Sequence, residues 1–157
     1  MKLVFLSISF FFILVSIANS QTKLQTGYYF VVEKSDSAVY LTGKNDSLYL
    51  NKTPIITVRD FKRIKVKGSS FQTSIVQIYL TDKAKEPFKI ATSKWIGNKI
   101  AFVIDSKIIM VPIVMAEIPD GKIWMSGVSE NEVNNTRKEL LTIKKTIEDE
   151  IKTAQNK

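Results

Sequence analysis

Residues 97–105 read Gly97-Asn98-Lys99-Ile100-Ala101-Phe102-Val103-Ile104-Asp105, and the apolar run at their centre decides the fold. Five consecutive apolar residues are too few for a helix, and a strand apolar at every position has both faces covered. Ile100 to Ile104 is therefore read as a central strand. Just before it, Gly97-Asn98 marks the end of a helix that starts near Asp82 and reaches Trp95. Thr81-Asp82 offers a side-chain oxygen and an acidic group at the helix start, and Ala84, Phe88, Ala91 and Trp95 share one face. Pro87 lies within the second turn, where it removes one amide and bends the start. After the run, Asp105-Ser106-Lys107 turns the chain into Ile108 to Val114, which Pro112 interrupts. Residues 118–122 turn it again, into Ile123-Trp124-Met125.

Farther out the periods stay legible. Residues 61–67 alternate, with Ile64 and Val66 on one side and Arg63, Lys65 and Lys67 on the other. Gly68 opens a turn into Gln72 to Leu80, so this pair reads as a half-buried hairpin. Upstream, Gly27 to Val32, Ala38 to Leu41, Leu48 to Leu50 and Ile55 to Val58 read as short strands separated by turn formers. Downstream, Ser129 to Glu132 matches a capping box. It opens a helix whose apolar ladder is Val133, Leu140, Ile147 and Ile151, widened by Leu141 and Ile143. Strands followed by a helix, more strands and a last helix make an α+β fold with a mainly antiparallel sheet.

The first twenty residues are of a different kind. Lys2 is the only charge before Lys23, Leu3 to Ile17 is apolar apart from three serines, and Ala18-Asn19-Ser20 presents small residues before Gln21. This is a signal-peptide layout, short for a membrane span. It predicts an exported protein, periplasmic or secreted, cleaved after Ser20. The alternative is retention of the leader as an N-terminal anchor, the one arrangement in which membrane contact is expected.

The chain has 157 residues, no histidine and no cysteine. Those two zeros exclude histidine-based triads, thiol nucleophiles, disulfides and the usual zinc ligands. No phosphate-cradling glycine loop, nucleophile elbow or calcium loop is present, and no spacing brings two carboxylates together. The expectation is a protein without catalytic residues, cofactor or metal. The net charge is +8, and basic residues are densest from Arg59 to Lys67. Such a stripe suits an anionic partner (nucleic acid, phospholipid headgroups or an acidic protein) or is simply a solvated face protecting a sheet edge. Nucleic acid is set aside, because the chain is exported and carries no binding motif for it. Trp95 reads as core or core edge. Trp124, between Ile123 and Met125, is open between core and partner anchor.

Residues 49–141 resemble the head subdomain of the first large extracytoplasmic domain of SecD and SecDF. The series that carries the resemblance begins at Ile78-Tyr-Leu-Thr and a helix with Phe88 and Ala91-Thr92. It continues through Gly97 and the apolar strand to Asp105, then a strand ending in Pro112, then Gly121 and the alternating strand to Gly127. Three departures stand out: Ser106 occupies a turn position where the family usually has glycine, the basic strand surface is not a family feature, and the family's translocases carry transmembrane helices and proton-relay carboxylates. The resemblance implies a ferredoxin-like head outside the membrane, with Gly97, Asp105, Pro112, Gly121 and Gly127 as turn and strand markers. The expected organisation is a signal peptide over 1–20, N-terminal strands over 21–48, a head-like domain over 49–152 and a charged tail over 153–157. It further implies a noncatalytic binding module that contacts unfolded exported polypeptide. The residues themselves, not the resemblance, make Trp124, Arg63, Lys65 and Lys67 candidate partner contacts. Alternatives are an accessory subunit docked on an envelope complex, or a small hydrolase whose carboxylates meet only in three dimensions.

Overall fold

The computed structural model describes residues 23–42, 47–68, 74–126 and 133–156. The expected leader, the turns at 43–46 and 69–70, Gly127 and the capping box at 129–132 lie outside them. Nine strands are present among the described residues: β1 (Gly27–Val32), β2 (Ala38–Thr42), β3 (Ser47–Asn51), β4 (Ile56–Thr57), β5 (Phe61–Gly68), β6 (Ser74–Leu80), β7 (Ile100–Ile104), β8 (Lys107–Met110) and β9 (Lys122–Ser126). Two helices, α1 (Asp82–Ser93) and α2 (Val133–Gln155), complete the described fold. Every strand pairing is antiparallel, so the class is α+β as the element order requires.

The strands divide between two sheets where the sequence pattern suggested one. The first runs β2-β3-β1-β7-β8, with β4 also on β1; the second is β5-β6-β9. The division falls at a 3-10 turn, Val58–Asp60, between β4 and β5. Thr57 donates to the Asp60 carboxylate from both its backbone amide (2.8 Å) and its hydroxyl (3.2 Å). That local bonding ends the expected extended run at Thr57 and redirects the chain from one sheet to the other.

β7 explains itself in this frame. It lies between β1 and β8, and all five of its side chains are buried. Ile100, Phe102 and Ile104 face the main core with Tyr28, Phe61, Phe88 and Ile147. Ala101 and Val103 face a second cluster with Leu24, Tyr29 and Leu50. That second cluster is closed over because the first sheet curls: β2 and β8, its two ends, come close to each other. Gly27 is required where β1 meets β4, since a side chain there would strike the Ile56 carbonyl.

α1 buries Ala84, Phe88 and Thr92 and half-buries Ala91; it ends at Ser93, short of the expected Trp95, which is half-buried in the turn beyond it. Thr92 enters the sequence reading only as part of the family-like helix. Its hydroxyl donates to the Phe88 carbonyl (2.9 Å) and accepts from the Ile118 amide (3.1 Å), so a buried polar group is satisfied on both sides. Thr81 occupies the N-cap position without a side-chain cap bond, and Asp82 instead pairs with Lys85 at 2.7 Å. α2 packs on β5 and the 3-10 turn through Ile147 and Ile151. Leu141 is 50% exposed, off the stripe assigned to it, because the helix turns that position to solvent. The side chains of Val133 and Leu140 lie outside the described residues.

Candidate binding surface

The second sheet turns one face to the helices and leaves the other open. Its inward row is Ile64, Val76, Ile78, Leu80 and Ile123. A bulge makes this possible on β5. Phe61 pairs with Leu80 and Arg63 with Tyr79, so Lys62 is the extra residue, and both Phe61 and Ile64 point inward across two consecutive exposed cations.

On the outer face, strand register builds two rows. One is Arg63, Tyr79, Lys122; the next is Lys65, Gln77, Trp124. The Arg63 guanidinium lies 4.1 Å from the centre of the Tyr79 ring and the Lys65 ammonium 5.8 Å from it. The Tyr79 hydroxyl is 3.2 Å from Gln77 Oε1, to which it donates, and Gln77 is only 2% exposed beneath its neighbours. Trp124 is 62% exposed. Three candidates from the sequence, Arg63, Lys65 and Trp124, are thus on one face. Lys67 pairs in register with Ile75, and its side chain lies outside the described residues. Tyr79, Gln77 and Lys122 belong to the same surface and were missed. Their signal was the alternation of the long strand, whose outward positions carried no obvious chemistry.

The outer edge of β9 pairs with no other strand among the described residues. The Leu80 amide donates to the Gly121 carbonyl at 2.8 Å, which sets the phase of the β6–β9 ladder. Residues 121 and 123 therefore bond toward β6, and the backbone of Lys122 and Trp124 points to the open edge. The Lys122 amide is taken by Asp120 Oδ1 at 3.0 Å. Beside this edge lies an apolar cleft of about 300 Å³ formed by Pro112, Ile113, Met115, Ile118 and Trp124. Met115 is 83% exposed and Ile113 50%. The segment is anchored rather than loose: Gly97 donates to the Val114 carbonyl (2.8 Å), Val114 to the Asn98 carbonyl (2.9 Å), and Ile118 to Thr92.

A larger hollow, about 660 Å³, lies elsewhere, between the Lys23–Thr26 segment, the 3-10 turn and the end of α2. It holds three carboxylates, Asp105, Asp149 and Glu150. Asp105 bonds Lys23 at 2.8 Å, and that hydrogen bond and charge hold its carboxyl below the ordinary range. A general acid needs the opposite shift. Glu150 accepts from the buried Thr26 hydroxyl at 3.1 Å, a structural tie between α2 and the start of β1. Among the described residues no group of three potential metal ligands is present.

The marker residues serve the backbone. Gly97 (φ +82°) and Gly121 (φ +64°) are left-handed, and a Cβ on Gly121 would sit 2.6 Å from the Lys85 side chain. Asp105 (φ +46°) and Ser106 (φ +63°) form the two-residue turn between β7 and β8 in the same region. Ser106 repays its conformation, because its hydroxyl oxygen accepts the Leu24 amide at 2.8 Å. The Pro112 carbonyl accepts the Ile100 amide at 3.0 Å just beyond β8.

Residues 33–141, more than two thirds of the chain, match the family model for the SecDF P1 head subdomain. The chain belongs to the SecDF P1 head family. Among curated proteins, this head is 31% identical over 71 residues to the protein translocase subunit SecD of Aquifex aeolicus (strain VF5). That match covers 45% of this chain and 14% of the relative. SecD of Petrotoga mobilis (strain DSM 10674 / SJ95) is 26% identical over 66 residues, covering 42% and 13%. The chain thus spans about one seventh of the curated relatives it matches. Its P1 head fold is shared with SecDF solved in a super-membrane-facing form, at TM-score 0.51 and 18% identity over 68% of this chain and 17% of that one. It is shared also with SecDF described as a membrane component that enhances protein export, at TM-score 0.52 and 17% identity over 73% and 60%. No helix among the described residues is long and apolar enough to cross a membrane.

Proposed function

We propose that this P1 head is an exported, noncatalytic module that holds an extended stretch of exported polypeptide during translocation or folding outside the membrane. The observation that carries the reading is the open edge of β9, with outward backbone at Trp124, set beside an apolar cleft of about 300 Å³. An extended chain adds to such an edge through main-chain hydrogen bonds while alternate side chains enter the cleft. Main-chain pairing tolerates many sequences, as a partner in export must. Family membership supports a translocation role, and a related SecDF is described as enhancing protein export.

The test compares two substitutions at one residue. Trp124→Ala removes the aromatic anchor; Trp124→Pro also removes the outward amide, at an edge position where proline is tolerated. If backbone pairing holds the polypeptide, proline should weaken binding well beyond alanine. Equal binding by the two would remove strand addition from the mechanism.

A second reading, docking of the head on an envelope complex, draws on the two cation rows of the outer sheet face. It predicts binding that high salt abolishes.

A further inference from the structure

We propose that the outer face of the β5-β6-β9 sheet docks on an anionic lipid surface, with Trp124 seated at the headgroup boundary. Lys62, Arg63, Lys85 and Lys122 line a shallow hollow of about 200 Å³ there, with Asp120 the one carboxylate among its described lining residues. Asp120 is already engaged by Lys122 at 2.9 Å, and Lys85 by Asp82. Lys62, Arg63 and Lys65 form no ion pair among the described residues, although Asp82 feels the charge of Lys62, so this face carries an excess of positive charge. That face is complementary to a negatively charged plane. Each such cation strengthens binding to an anionic bilayer about fivefold, and the effect fades within a Debye length.

Charge alone would suit an acidic protein as well. The apolar neighbours favour lipid. Trp124 is 62% exposed on the same face, and Met115 (83%) and Ile113 (50%) stand at its margin. A tryptophan with a cationic surround is the residue pattern of membrane–water interfaces, where the ring sits at headgroup depth and the cations reach phosphates. The sequence tied membrane contact to a retained leader; this face provides contact without one. It is also distinct from the β9 edge, whose backbone groups lie along the sheet rather than across its face.

The test uses residues 21–157, which contain every described element, with vesicles of phosphatidylcholine alone or mixed with phosphatidylglycerol. Co-sedimentation should occur only with the anionic vesicles, weaken with salt, and shift tryptophan emission to the blue. Arg63→Gln with Lys65→Gln should weaken partitioning about 25-fold; strand addition at the β9 edge is read separately, by Trp124→Pro against Trp124→Ala. Lys62→Gln with Lys65→Gln, which leaves the Arg63–Tyr79 contact in place, should do the same if the first pair proves poorly folded. Equal binding to neutral vesicles, no binding to anionic ones at low salt, or full binding by both variants would overturn it. So would binding of polyglutamate but not of vesicles, or release from vesicles by millimolar inorganic phosphate at constant ionic strength.

Discussion

Tyr28 of β1 and Phe102 of β7 are register partners, and their rings stack with centroids 4.9 Å apart. Phe61 and Phe88 close on the same pair, from the second sheet and from α1. Four elements therefore meet around the Tyr28–Phe102 pair, and Phe102 is 1% exposed. Phe102→Ala should cost about 3–5 kcal/mol. A thermal melt checks this, and an unchanged midpoint would contradict the packing described.

Much of this was readable beforehand, and the reasons are specific. The run from Ile100 to Ile104 could only be a doubly covered strand, and Ile64, Val66 and Val76 to Leu80 declared a hairpin by alternation. What stayed hidden was tertiary. Nothing local in Gly27 to Val32 says that β1 will slot beside β7, and the split into two sheets depends on how Thr57 and Asp60 bond at one turn. The bulge at Lys62 was hidden for a similar reason, since two adjacent charges do not show which one is the extra residue. On the candidate surface, Trp124 and the cations were visible as types. Their meeting on one face, with Tyr79 and Gln77 between them, required the register of three strands.

Ser106 separates a backbone cost from a side-chain gain. Ser106→Ala keeps the left-handed conformation and loses the bond to Leu24, so it should destabilise by about 1–2 kcal/mol. Ser106→Gly loses the same bond but relieves about 1 kcal/mol of backbone strain. Glycine should therefore be the milder change in urea unfolding. Alanine equal to wild type would show that the Leu24 bond contributes nothing.

The two left-handed glycines should differ. Gly97→Ala meets open space and should cost about 1 kcal/mol from backbone strain alone. Gly121→Ala adds a clash with Lys85 and with Leu80, at 2.6 and 3.2 Å, and should cost more. Paired denaturation curves check the order, and a reversal would contradict the turn geometry.

Asp82, Asp105 and Asp120 are all held below the ordinary carboxylate range, chiefly by hydrogen bonds from Lys85, Lys23 and Lys122. A depressed carboxyl contributes stability above its unfolded pKa of about 3.9 and loses it as pH falls through the folded value. Lys23 and Lys122 are raised by the same partners, so their contribution is present below about pH 10.4 and lost as pH rises through the folded value. With no histidine in the chain, no side chain at its unperturbed pKa titrates near neutrality. Melting temperature should therefore be flat from about pH 6 to 9 and fall on the acid side, less steeply in Asp105→Asn. A marked change near pH 6.5 would contradict this.

The central claim is that the β9 edge and its cleft take an extended exported polypeptide. An unfolded secretory protein titrated against labelled residues 21–157, at low and at high salt, tests it most directly. The account predicts weak, sequence-tolerant binding that persists at high salt and falls roughly 30-fold in Met115→Ser with Trp124→Ser, the loss expected of a binding hot spot. Absence of binding at either salt would contradict it.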